Sequence, residues 1–419
     1  MRRIAAGQAW DSDWHERGEG HVSGVGGPYR DRLAVLAAGE VVEAHLAAWA
    51  AERSTELSGP WRRVYGKLRP RHSPWAVLVY EAAGAPTVQV RLLERTDSGA
   101  EGSSRSPPDD SLGRVEVVSC AEDPALPGLP AVLAALDHPR VVRYHPGDRC
   151  TVRGGAGPSA RYVKVFSDAG DDQQESRARW AASVSGALSF AVAEPRGWDA
   201  SSRSSWYGVV PGVPVSPSLA GHERIDVARQ IGACIGQLAS APLRPNRRDD
   251  ASVQLARTKR ALTRGAAATP ALSEGLRNAA DSLTRAHERL AARPLVPIHG
   301  AAHLGQWLVD DTGRLGLVDF DRFAWGEPEF DLATFLVGLR ELLRERETGE
   351  LEAAVVDGYR AVAGDVDAHL LALYILHKRL TKVARMAASL RPDAEERAAP
   401  LLEELRSQLG RVGARRPTD

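Results

Sequence analysis

A chain of 419 residues, 43% of them hydrophobic, exceeds the ~150-residue scale of one domain and is apolar enough to bury a sizeable core. Lys and Arg total 54 and Asp and Glu total 54, so the formal charge is zero and no bulk attraction to nucleic acid or to an anionic membrane is expected. The 3 cysteines (Cys120, Cys150, Cys234) form no C-x-x-C pair, which excludes a disulfide framework and a zinc ribbon and points to a reducing, cytoplasmic setting.

No apolar run approaches the ~18 residues of a membrane span, and the N-terminus turns polar too early for a signal peptide. Residues 1–30 are rich in Gly, His and Trp without a period and are expected to be loosely docked. Leu33, Leu36, Val41, Val42, Leu46 and Trp49 recur at mostly helical spacings and predict one helix over Tyr29–Arg53. Strand-like runs follow at Trp61–Leu68, Trp75–Glu81 and Thr87–Leu93, and the Ser/Gly/Asp/Pro-rich stretch Thr96–Leu112 reads as a linker.

A short helix near Leu129–Leu136 precedes a second strand set. Val141–Tyr144 leads into the turn His145-Pro146-Gly147-Asp148, Cys150–Arg153 into a Gly-rich turn, and Arg161–Phe166 is the third strand. The order strand, Pro-containing turn, strand, strand also describes residues 61–93, which suggests a duplicated three-strand unit. A helix is expected from Asp171 through Trp180, then a strand through Trp206–Val210 ending at Pro211-Gly212. Beyond lie helical patterns over Ile225–Leu238, Val253–Leu262, Leu272–Leu290, Phe330–Leu343, Leu351–Val362, His369–Leu390 and Ala398–Leu409. One β-like interruption, Leu295–Asp319, sits among them.

That interruption carries the chemistry. It reads His299-Gly300-Ala301-Ala302-His303-Leu304-Gly305-Gln306, then an apolar strand, a turn at Asp310–Gly313, a second apolar strand and Asp319-Phe320-Asp321. Gly326-Glu327-Pro328-Glu329-Phe330-Asp331-Leu332-Ala333 opens the next helix. Paired strands would set Gln306 and Asp319 near one another, with two oxygens able to face one ion. Phosphoryl transfer needs such an arrangement, because its catalysis is mostly positioning and neutralisation of phosphate charge.

These motifs resemble the aminoglycoside phosphotransferase family, whose loop reads H-G-D-x-H-x-x-N, followed by a hairpin, I-D-[FW] and G-[DE]-P-x-x-D-L-A. The resemblance spans roughly residues 139–390 and is strongest over 299–333. It implies an α+β, protein-kinase-like two-lobed fold with a small β-rich N-lobe (139–212), a larger helical C-lobe (213–419) and an extra N-terminal α/β segment (1–138). It also implies ATP as donor, Mg²⁺, and a hydroxyl-bearing acceptor. Lys164 matches the third-strand lysine that contacts the α/β-phosphates, and Glu175 is the nearest acid for its helix partner. Gly147 lies in the turn that would cover the phosphates, and Val209 and Val210 lie in the linker whose backbone would meet adenine. Gln306, Asp319 and Asp321 form the implied metal set, with His299 bracing the loop and His303 inside it.

Two departures stand out. The family's base, an aspartate, is Ala301 here, and its metal-binding asparagine is Gln306. An amide oxygen remains a hard ligand, displaced by one methylene. A positioned base is worth roughly 10²–10⁴ in rate, so its loss predicts weak catalysis, with His303 or Asp321 as candidate substitutes. The leading expectation is a kinase acting on a small molecule or on a peptide Ser/Thr, in secondary-metabolite or modified-peptide biosynthesis or in resistance. The residues before the kinase-like lobes favour a large acceptor or a docked partner enzyme. The alternative is a pseudokinase scaffold, and an alanine introduced to trap substrate would give the same sequence. The basic run Arg244, Arg247, Arg248, Arg257, Lys259, Arg260 and Arg264 reads as a solvated helix face or as a dock for an acidic acceptor.

Overall fold

The computed structural model describes residues 32, 35–36, 38–68, 74–94, 112–167, 184, 186–221, 223–290, 293–343, 348–391 and 393–414. Its first unit is an antiparallel meander, β1 (Arg62–Leu68), β2 (Ala76–Glu81), β3 (Val88–Leu93) and β4 (Arg114–Ser119), in the order β1-β2-β3-β4. Helix α1 (Glu40–Glu52) covers one face, burying Val42, Leu46 and Trp49 with Leu78, Val90 and Leu92. The single helix expected over Tyr29–Arg53 is interrupted: Gly39 takes φ 84°, a left-handed conformation that caps α1 and cannot continue a right-handed helix.

A second sheet follows α2 (Leu129–Ala135). Its strands are β5 (Arg140–His145), β6 (Arg149–Gly154), β7 (Arg161–Phe166), β9 (Pro195–Asp199) and β10 (Ser204–Gly208), ordered β5-β6-β7-β10-β9. Both sheets begin alike. In β1 the pairing with β2 slips between Arg63 and Tyr65, and in β5 the pairing with β6 slips between Val141 and Arg143. The bulged residues Val64 and Val142 are each the third of their strand, and both face solvent, at 42% and 50% exposure. Each third strand then pairs with a fourth that is supplied from later in the chain, β4 or β10. The expected helix over Asp171–Trp180, and Glu175 within it, lie outside the described residues, as does most of the predicted linker.

The chain enters the helical part through β11 (Val213–Pro214) and α3 (Ser216–Leu219). There α4 (Arg224–Ser240) crosses α8 (Gly349–Ala363), while α5 (Ala251–Ala268), α6 (Ser273–His287), α10 (Ala394–Ala414) and α9 (Ala368–Ala387) pack side by side in a ring, and α9 also packs against α7 (Glu329–Leu342). Asp250 and Asp367 cap α5 and α9 by accepting from the first backbone amides. Between α6 and α7 two short sheets form. One pairs β12 (Val296–Ile298) with β15 (Ala324–Gly326); the other runs β11, β13 (Trp307–Val309), β14 (Leu315–Leu317) and β8 (Ala191–Val192). The kinase-like two-lobed α+β fold is therefore present, with the N-terminal α/β unit attached.

The apolar cores do not part at residue 138. Val79 of β2 packs with Cys120, Leu126, Leu129, Val152 and Val163, so the first unit and the N-lobe share a core. Leu390, after α9, is buried among the residues of α1 and β1–β4, so the same unit also rests on the C-lobe.

Candidate active site

Local geometry shapes the loop after β12. Gly300 takes φ 76°, and a Cβ there would lie 2.4 Å from the Arg322 carbonyl oxygen, so both conformation and space demand glycine. Asp331, in the first turn of α7, accepts from His299 N at 2.6 Å and from Gly300 N at 3.0 Å, fixing the loop to the helix. Burial pushes its carboxyl up to about 6 despite these donated hydrogen bonds. His299 is fully buried; its Nε2–H donates to Val318 O at 3.1 Å and its ring meets Phe320 edge-on. These contacts tie its ring to the segment around Asp319. His303 is half-buried, and its backbone amide donates to Ala301 O.

The hairpin β13–β14 is closed by Asp310, whose Oδ1 accepts from Thr312 N and Arg314 N, both at 2.9 Å. Pairing of Trp307 with Leu317 brings the residues just outside the strands together, and Val318 N donates to Gln306 O. Asp319 then adopts φ 72°, ψ 57°, a left-handed conformation that aspartate tolerates better than most residues. Gln306 Nε2 donates to Asp319 Oδ2 at 3.0 Å. Gln306 Oε1 is buried and has no hydrogen-bond partner.

Lys164, the fourth residue of β7, reaches across the cleft to the same carboxylate and also lies 2.7 Å from Asp321 Oδ1. Asp321 Oδ2 accepts from Arg149 Nη1 at 3.1 Å. Burial works against the charge on Asp319, but Lys164 and Arg149 outweigh it and hold the carboxyl well below its ordinary value. Burial likewise opposes the Lys164 ammonium, and Asp319 with Asp321 overcomes it and raises the pKa.

The structure thus brings Lys164, Gln306, Asp319 and Asp321 together, while Ala301 is 1% exposed on the neighbouring loop. Val209 and Val210 directly follow β10, and Val210 packs over Gly316 of β14, so they span the lobes. Gly147 has φ 71°, as its turn requires, but its amide donates to Asp123 Oδ2 at 2.9 Å and is committed there rather than to a phosphate. Asp123 also accepts from Tyr144 OH at 2.7 Å, clamping the β5–β6 turn to the preceding segment. Part of the basic run is not a solvated face: Arg247 and Arg257 of the run converge with Arg322 on fully buried Asp249.

Sequence reasoning missed Arg149, Asp123 and Asp249. Arg149 carried one available signal, a cation on an apolar strand directly after the Gly147 turn. The donor set suits Mg²⁺, which takes one or two carboxylates and keeps other positions for phosphate and water. Gln306 Oε1 beside Asp319 is such a set. Among the described residues no cluster of three or more His, Cys, Asp or Glu side chains forms a metal cage.

Comparison with known proteins places this site in context. Among solved structures, an aminoglycoside phosphotransferase from Streptomyces rimosus is 19% identical, with 61% of this chain and 96% of that chain covered at a TM-score of 0.46. A choline kinase from Streptococcus pneumoniae is 11% identical, with 66% and 97% covered and a TM-score of 0.49. An amicoumacin kinase solved with AMP-PNP and Ca²⁺ is 14% identical, with 67% and 92% covered and a TM-score of 0.47. No curated protein sequence matches the chain. The model of the phosphotransferase enzyme family matches residues 148–374, more than half of the chain and all of the segment from the β5–β6 turn to α9 that holds Lys164, Gln306 and Asp319, and the chain belongs to that family.

Proposed function

We propose that this chain transfers the γ-phosphoryl group of ATP to a hydroxyl of a small molecule or of a peptide Ser or Thr, with Mg²⁺. The observation that carries this is the unpartnered buried oxygen of Gln306 beside Asp319, with Lys164 reaching the same carboxylate from the other lobe. Mg²⁺ held by Gln306 Oε1 and Asp319 would neutralise phosphate charge and align donor with acceptor. With Asp319 holding the metal, Lys164 would be available to phosphate oxygens, and the backbone of Val209 and Val210 would take the adenine edge. Asp331 and His299 hold the loop rigid. The P–O bond to ADP breaks as a bond to the acceptor oxygen forms, and the hydroxyl proton passes to solvent, since Ala301 cannot accept it.

Ala301 favours a second reading, a subunit that binds nucleotide without efficient turnover. Whole extract of the source cells with labelled ATP separates the two. ADP together with a labelled small molecule or peptide supports the kinase; ATP binding with no labelled product supports the scaffold. The N-terminal unit supports a copy of the N-lobe sheet put to another use. It keeps the bulge and strand order but has Arg91, tied to Glu116 at 3.5 Å, at the strand position of Lys164. Docking of a large acceptor or a partner enzyme is the use assigned to it here.

A further inference from the structure

We infer that Arg149 is a second phosphate-binding cation, held by Asp321 as an exchangeable partner; the inference rests on the nucleotide site proposed above. Arg149 is the first residue of β6, directly after the turn that would lie over the phosphates. Its guanidinium spans the cleft to Asp321, and the two side chains are only 10% and 8% exposed. With Lys164 and Asp319 they form an alternating chain of two cations and two carboxylates between the lobes. Desolvating four charges is costly, and a buried ion pair is weak evidence of stabilisation by itself. A role in ligand exchange gives the network a reason.

Charge counting shows what that role is. When Asp319 is taken up by a metal, Lys164 keeps only Asp321, and the two cancel. Asp321 by itself would therefore present the incoming phosphates with no net positive side chain. Arg149 restores one unit of charge and so offsets the carboxylate of Asp321. The turn's own Gly147 amide is committed to Asp123, which leaves a donor missing where the phosphates would lie. A guanidinium replaces that donor well, because its planar fork matches two phosphate oxygens at once. Positive charge fixed at the terminal phosphates is also the kind of stabilisation that phosphoryl transfer uses most.

The test is calorimetric titration of the full chain with ATP, ADP and AMP in Mg²⁺, for the parent, Arg149→Ala, Arg149→Lys, Lys164→Ala, Asp321→Asn and the double variant Arg149→Ala/Asp321→Asn. Loss of one charge-assisted hydrogen bond to phosphate predicts roughly 10- to 100-fold weaker ATP binding by Arg149→Ala. AMP binding should stay within about twofold by the same logic, since AMP lacks the contacted phosphates. Asp321→Asn, which releases Arg149, should tighten ATP. Thermal unfolding of each variant checks the fold; if Arg149→Ala unfolds, the double variant, in which no lone carboxylate is left, supplies the same ATP-to-AMP comparison against Asp321→Asn, from which it differs only at Arg149. If Lys164→Ala weakens ATP while each folded variant lacking Arg149 binds it like its counterpart that keeps Arg149, or if ATP and AMP weaken equally, Arg149 is only an inter-lobe tie and the inference fails. If the parent binds neither ATP nor AMP, the nucleotide site itself is wrong, and this inference falls with it.

Discussion

Lys164 and Asp319 lie on different lobes yet share one buried contact, so substitutions at Lys164 report on the whole cleft. Lys164→Ala should weaken Mg·ATP binding more than Lys164→Arg, because arginine keeps a cation there although its guanidinium is wider than an ammonium. Equal affinity of both variants and the parent in the same titration would reduce Lys164 to a strand residue. Ala301→Asp should raise turnover, by up to the ~10²–10⁴ of a positioned base if chemistry limits the rate. The gain has an opposing cost, since Ala301 is buried and a carboxylate there must be desolvated. Steady-state ADP production alongside a melting curve separates the two effects. Most of these residues were legible because the loop, hairpin and Asp319 are contiguous and their spacing encodes their meeting. Arg149 was not, because its partner lies 172 residues away and no local pattern announces an ion pair of that span.

At the level of elements, close approach of backbones decides where change is tolerated. A Cβ at Gly232 of α4 would lie 1.9 Å from Val355 O, and one at Gly358 of α8 would lie 2.0 Å from Arg229 O. The two helices cross on these glycines. Gly232→Ala must push α8 away, at a cost of about 1–3 kcal/mol or more, visible as a lowered denaturation midpoint. An unchanged midpoint would mean that the crossing relaxes freely. Apolar periodicity made these helices and the strands of β5–β7 readable, because each buries one regular face. It failed at Gly39, where a single positive φ breaks an otherwise continuous helical pattern, and at β4, whose Arg114-Val115-Glu116-Val117 alternation follows a loop-like stretch. The matching bulges at Val64 and Val142 were also hidden, since a bulge is a property of pairing rather than of one strand.

Across the whole molecule, shared cores tie the N-terminal unit to both lobes. Deleting residues 1–111 removes Val79 from the N-lobe core and uncovers Leu390, so the shortened chain should melt at a lower temperature or aggregate rather than behave as a minimal kinase. Acid should loosen the C-lobe through a second buried site. His287 and His377 meet ring edge to ring face between α6 and α9, and His377 Nδ1 bonds Thr258 Oγ1 at 2.9 Å. Burial holds His287 down at about 4, and burial together with His287 and Lys378 holds His377 well below its ordinary value. At these histidines the unfolded chain takes up protons from about pH 6.5 downward that the folded chain refuses, so the pair's contribution to stability falls as pH drops from there to about 4, against the opposite contribution of Asp331. His287→Gln should flatten that slope in melts recorded across the window. No helix of the described residues is long and apolar enough to cross a membrane.

The central claim is that Gln306 and Asp319 form a metal-assisted nucleotide site with Lys164. Its most direct test is calorimetric titration of ATP, with and without Mg²⁺, into the parent chain and into Asp319→Asn. An amide at 319 keeps the size but removes the full charge that faces the metal. The account predicts Mg²⁺-dependent ATP binding by the parent and its loss in a folded Asp319→Asn chain. Unchanged Mg·ATP affinity in that folded variant would contradict it.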